Sequence, residues 1–132
     1  MSPRGRKKLE ALAVEQFIEQ ASDAQIDDLL QESERLKSAY RNGVLEEILV
    51  AKRSFYDRIC AGAKNPIAFD MISRLVLRTS SLRKRSLVRK ERHQQSIKEI
   101  GTLMKAIQRR DVARARAAAI EHVNNSGRSA LQ

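Results

Sequence analysis

Lys52 and Tyr56 stand one helical turn apart in the stretch VLEEILVAKRSFYDRI, residues 44–59. Leu45, Ile48, Leu49, Phe55, Tyr56 and Ile59 recur there at three- and four-residue spacing. The spacing predicts an amphipathic helix with Lys52 in the middle of its apolar face. An ammonium pointing into a core needs a partner or a route to water, and local conflicts of this kind are where function concentrates. Cys60 and either histidine could be drawn as a nucleophile and its base, but nothing orients such a pair, and Cys60 reads as a small buried hydrophobe. His93 lies in a run of charge and is expected in solvent. There is no glycine-rich phosphate loop, no HExxH and no CxxC. These residues do not assemble an enzyme.

A further group with chemical capacity is basic. Arg78, Arg85, Arg89 and Arg92 fall near one helical face, with Arg74 a turn earlier. Such a stripe could neutralise phosphates, but it holds no aromatic residue to stack on bases and no recognisable reading motif. It reads better as a solvated or interface face. The net charge is +10, unevenly placed: residues 1–50 carry 7 Lys/Arg against 10 Asp/Glu, and residues 51–132 carry 19 against 6. A basic half suits an anionic partner, whether nucleic acid, an acidic ligand or another protein.

The elements that must position these residues are helical. Five Gly, two Pro and no Trp in 132 residues leave few breakers, and 42% hydrophobic content is enough for one core. A first helix is expected from Arg6 to Ala21, with Leu9, Leu12, Ala13, Phe17 and Ile18 inward. Ser22 and Gln25 form a capping box for a second helix carrying Ile26, Leu29, Leu30, Leu36 and Tyr40, which Asn42-Gly43 ends. The Lys52 helix follows. Asn65-Pro66 opens a fourth, with Ile67, Met71, Ile72, Leu75 and Val76. After the basic segment, Ile97, Ile100, Leu103, Met104 and Ile107 make one stripe that ends at Arg109-Arg110. Asp111 caps a last helix, with Ala115, Ala119 and His122 on one face. No stretch alternates as a strand. The fold class is all-α: an antiparallel bundle of six or seven helices. The single cysteine points to a reducing compartment, and no apolar run approaches a membrane span. A cytoplasmic protein with no membrane contact is expected.

In this order the helices carry a resemblance. Leu9-Glu10 with Ser22 downstream, FYDRICAGAKNP at residues 55–66, and AIQRRDVARARAAAIEHV at residues 106–123 together resemble the FCD domain, the C-terminal ligand-sensing domain of GntR-type transcription regulators of the FadR subgroup. FYDRICAGAKNP is similar to the family's FHxxIxxASGNP, and AIQRRDVARARAAAIEHV to its AIxxRDxxxAxxAMxxHL. The resemblance covers Leu9 to Val123 and implies a bundle around a central ligand cavity. Residues 1–124 would be that domain and 125–132 a flexible tail. The family's winged helix-turn-helix would be absent, so DNA would be reached only through a missing N-terminal domain. A homodimer is implied, as is regulation by a small carboxylate or other acidic metabolite.

Many members of the family hold a metal with one Asp and three His. By register the Asp falls on Lys52, the first His on Tyr56 and the next on Ile100; only the third is kept, as His122. His93 is two turns, about 10 Å, before Ile100, too far to replace a ligand whose bond to zinc is about 2 Å. The set is poor for a divalent metal, so neither metal nor other cofactor is expected. Lys52 could instead offer charge directly to an acidic ligand. Tyr56 would add a hydroxyl, and His122 a donor or acceptor. Arg78 falls near an arginine common in the family's central helix. The expected cavity residues are therefore Lys52, Tyr56, Arg78, Ile100 and His122. Alternatively, Lys52 snorkels to water or pairs with an acid such as Glu99. Two other functions fit parts of the sequence: a basic helical nucleic-acid-binding protein, and a ligand-free dimerisation module with a collapsed cavity.

Overall fold

The computed structural model describes residues 3–78 and 90–131, with side chains at 4–74 and 90–126. Among the described residues there are six α-helices and no strand: α1 (Pro3–Gln20), α2 (Asp23–Asn42), α3 (Leu45–Gly62), α4 (Pro66–Arg78), α5 (Lys90–Gln108) and α6 (Val112–Leu131). Of the basic stripe, Arg85 and Arg89 lie outside the described residues.

The helix ends follow from local chemistry. Ser22 Oγ accepts from the Gln25 amide at 3.1 Å, and Gln25 Oε1 accepts from the Ser22 amide at 2.9 Å, the reciprocal capping box. Gly43, at φ +72°, takes the left-handed cap of α2 that an L side chain resists. Asn65 Oδ1 accepts from the Ala68 amide at 3.0 Å and so caps α4. Asp111 Oδ1 accepts from the Arg114 amide at 3.1 Å and caps α6. Arg110 serves a different helix from the one it follows: its guanidinium donates to the carbonyls of Ile18 and Ala21 at 2.7 and 2.9 Å, satisfying the open C-terminus of α1.

α1 packs along α6 and against α3; α2 lies on α3 and α5; α5 packs on α6, and α4 rests on α3. Phe17, Leu29, Ile48, Ile59, Ile72, Met104 and Ile107 are fully buried and come from five different helices, so the bundle has one shared core. One inward face differs from expectation. Leu12 is 40% exposed, and α1 buries Ala11 and Val14 instead. On α4, Ile67 is 72% exposed and Met71 also faces out, while Ala68 and Ile72 point inward. Periodicity marks an apolar stripe but not which edge of it meets the core. α6 runs on to Leu131, past the point where its apolar pattern fades near Val123.

Candidate functional site

The middle of α3 delivers Lys52 to the interior. The side chain is 2% exposed, so it does not snorkel to water. It lines a small cavity with Phe55 and Tyr56 of the same helix, Leu36 and Tyr40 of α2, Glu99, Ile100 and Leu103 of α5, and His122 of α6. The space open to the centre of a water molecule is about 20 Å³, room for roughly one water. The structure brings Lys52, Tyr56, Ile100 and His122 together around this space. Arg78 ends α4, and its side chain lies outside the described residues.

Two carboxylates neighbour these residues. On α1, Glu10 receives Arg6 Nε at 2.6 Å, one turn earlier, and the Tyr56 hydroxyl at 2.5 Å. Burial pushes the Glu10 carboxyl up, but the Arg6 charge and the Tyr56 hydroxyl outweigh it and hold the group below the usual range. Arg6 Nη2 is buried and has no hydrogen-bond partner. On α5, Glu99 receives Arg92 through both guanidinium nitrogens at 3.0 Å, a bidentate pair. It also meets His122 Nδ1 at 2.5 Å and Asn125 Nδ2 at 2.8 Å. Burial raises the Glu99 carboxyl, yet the hydrogen bonds from His122 and Arg92, with charge and Asn125 behind them, bring it down to about 2.

His122 fixes the state of the cluster at neutral pH. Burial, supported by the charge of Lys52, brings it down to about 4, although Glu99 and Glu10 pull the other way. It is therefore neutral at pH 7. Because ionised Glu99 can only accept, the proton sits on Nδ1 and Nε2 is left as an acceptor. Arg6, Lys52 and Arg92 are then three formal cations beside two carboxylates, Glu10 and Glu99.

Several of these residues were not legible as site residues. Arg92 belongs to the basic stripe that suggested a solvated face, but it is 5% exposed and holds Glu99 and Ser126. Arg92, Ser96 and Glu99 recur at four- and three-residue steps and form a buried polar stripe beside the apolar one; that spacing was the signal. Asn125 falls in the segment read as a tail. His93, expected in solvent, is 7% exposed and lies 5.7 Å from the Tyr40 ring, under the Gly43 turn. A neutral imidazole tolerates that setting: burial and the Arg92 charge both lower its pKa. Cys60 is buried, and its thiol is pushed up to about 12 by burial and by the Glu10 and Asp57 charges, so it carries no nucleophile.

The family's metal does not fit this donor set. Lys52 brings a charge where a carboxylate is needed, Ile100 offers no donor, and the Tyr56 hydroxyl is committed to Glu10. Among the described residues no group of three or more His, Cys, Asp or Glu is placed to share an ion.

Comparison with known proteins adds a frame. A family model for the FCD domain matches residues 4–125. Among solved structures, McbR/YncC of E. coli superposes with a TM-score of 0.82 at 23% identity, covering 98% of this chain and 62% of that one. That likeness shows the fold, and the chain spans under two thirds of the solved protein's length. No curated protein matches. No described helix is long and apolar enough to cross a membrane.

Proposed function

The chain belongs to the FCD domain family, and from that premise we propose that it is the effector-binding and dimerisation domain of a bacterial GntR-type regulator that senses a small carboxylate or other acidic metabolite. The domain acts as a homodimer in the cytoplasm. It reaches DNA through a winged helix-turn-helix joined to it, and it has no catalytic role. One observation carries the choice of an acid: the buried Lys52 ammonium lines the cavity beside a His122 that burial keeps neutral, so a group entering there meets positive charge. Lys52 supplies a point charge, and the Tyr56 hydroxyl, which donates to Glu10, would have to turn from it to donate to an acid. Ile100 closes the apolar wall. Binding shifts the equilibrium of an attached domain only if the acid prefers one arrangement of the bundle over another.

The test is a thermal-shift series of small mono- and dicarboxylates against wild type and Lys52→Ala. The expected result is stabilisation of wild type by at least one acid and a loss of about tenfold or more in its affinity in the variant. Equal affinity in both proteins would remove Lys52 from the site. The one-water cavity favours another reading, a dimerisation module with no ligand, which predicts no shift with any acid.

A further inference from the structure

The cavity holds about one water, and an effector acid is larger. Something in the wall must therefore move before a carboxylate can bind, and the geometry identifies it. Glu99 lines the cavity, and its carboxylate carries four hydrogen bonds: two from Arg92, one from His122 and one from Asn125. Arg92 is itself steadied by Ser126 Oγ at 2.9 Å. A fork of guanidinium donors with an imidazole N–H and an amide N–H is the arrangement that recognises a free carboxylate. Here the chain supplies the carboxylate itself.

We propose that Arg92, His122 and Asn125 form a carboxylate seat, filled by Glu99 when no effector is bound and yielded to an effector's carboxylate when one enters. The seat and its internal occupant stand on these contacts; the exchange rests on the effector function proposed for the domain. Glu99 is tethered, so its effective concentration at the seat is high. A minimal acid such as acetate cannot compete with it. A successful effector must add contacts elsewhere, and Lys52 and Tyr56, on the same cavity, are placed to give them. Glu99 thus sets a threshold that excludes simple carboxylates.

The experiment uses acetate as the probe, because Glu99→Ala deletes a methylene and a carboxylate, the same heavy atoms as acetate. Thermal and urea unfolding of the 132-residue chain are followed in sodium acetate and in sodium chloride at equal ionic strength. The expected result is saturable stabilisation of Glu99→Ala by acetate, with a Kd at least about tenfold below that of wild type. Adding Arg92→Ala should abolish it. Glu99→Gln, which fills the same space, should gain nothing. Acetate that restores folding to an otherwise unfolded Glu99→Ala supports the seat equally. A folded Glu99→Ala that responds to acetate no more than wild type overturns it.

Should Glu99→Ala stay unfolded in both salts, the wild-type His122 ring decides by nitrogen NMR. Signals that acetate leaves in place support a filled seat, and signals that acetate moves overturn it. Acetate binding to Glu99→Ala with no acid binding to wild type would keep the seat and sink the effector reading. An acid that binds wild type while Glu99→Ala ignores acetate would sink the seat alone.

Discussion

Acid should destabilise this domain well before its carboxylates titrate, and His122 should be the largest single cause. In the folded chain the imidazole is held down to about 4, first by burial and then by the Lys52 charge from α3, against the pull of Glu99 on α5 and Glu10 on α1. In the unfolded chain its pKa returns to about 6.5. A depressed folded-state pKa means that the unfolded chain binds the proton first. Stability is therefore full above about 6.5 and falls as the pH drops toward 4. Between pH 7 and pH 5 this group alone removes about 2 kcal/mol. For a chain of this size that is roughly 6–10 °C in Tm. The assay is urea unfolding followed by far-UV circular dichroism across this range, on wild type and His122→Gln, whose amide can still donate to Glu99 but does not titrate. Wild type should show the loss, and the variant should keep most of the stability. His93, also depressed, adds in the same direction, so His93→Gln gives the size of the remainder. Identical pH slopes for wild type and His122→Gln would refute a neutral His122 buried beside Lys52.

Arg92→Ala removes the bidentate partner of a buried carboxylate and should cost about 3 kcal/mol in urea unfolding at pH 7, because Glu99 keeps only His122 and Asn125; a cost below about 1 kcal/mol would place Arg92 in solvent. Gly62→Ala puts a Cβ 2.5 Å from two ring carbons of the fully buried Phe17, so α1 and α3 must part and stability should fall by about 1–3 kcal/mol despite alanine's better helix propensity. Cys60 should resist a thiol reagent in the native domain at pH 8 and react only on unfolding, as a buried thiol pushed up to about 12 requires; fast native labelling would contradict its burial.

The fold was legible because its signals are local. Ser22, Gly43 and Asp111 mark helix ends by hydrogen bonds made within a few residues, and each acts as expected, while Asn65 stands at the boundary expected before Pro66 and adds a side-chain cap. The place of Lys52 amid an apolar stripe was legible too, but the sequence left open whether its ammonium reaches water, and the structure buries it. What surrounds it was not legible. Glu10 and Glu99 sit on helices whose polar residues resemble solvated faces, and only contacts across 46 and 23 residues reveal them as partners of Tyr56 and His122. The same limit misplaced His93 in solvent and Leu12 in the core: charge runs and apolar stripes fix a helix's character, while its rotation is set by neighbours remote in sequence.

The central claim is that this bundle has replaced a metal with fixed positive charge that receives an acid. The most direct measurement is a crystal structure of the wild-type domain with the carboxylate that stabilises it most. The account predicts the acid's carboxylate on Arg92, His122 and Asn125, Lys52 within hydrogen-bond reach of the ligand, and Glu99 turned away. An acid bound elsewhere, with Glu99 still on Arg92 and His122, or a divalent metal on His122 beside the ligand, would contradict it.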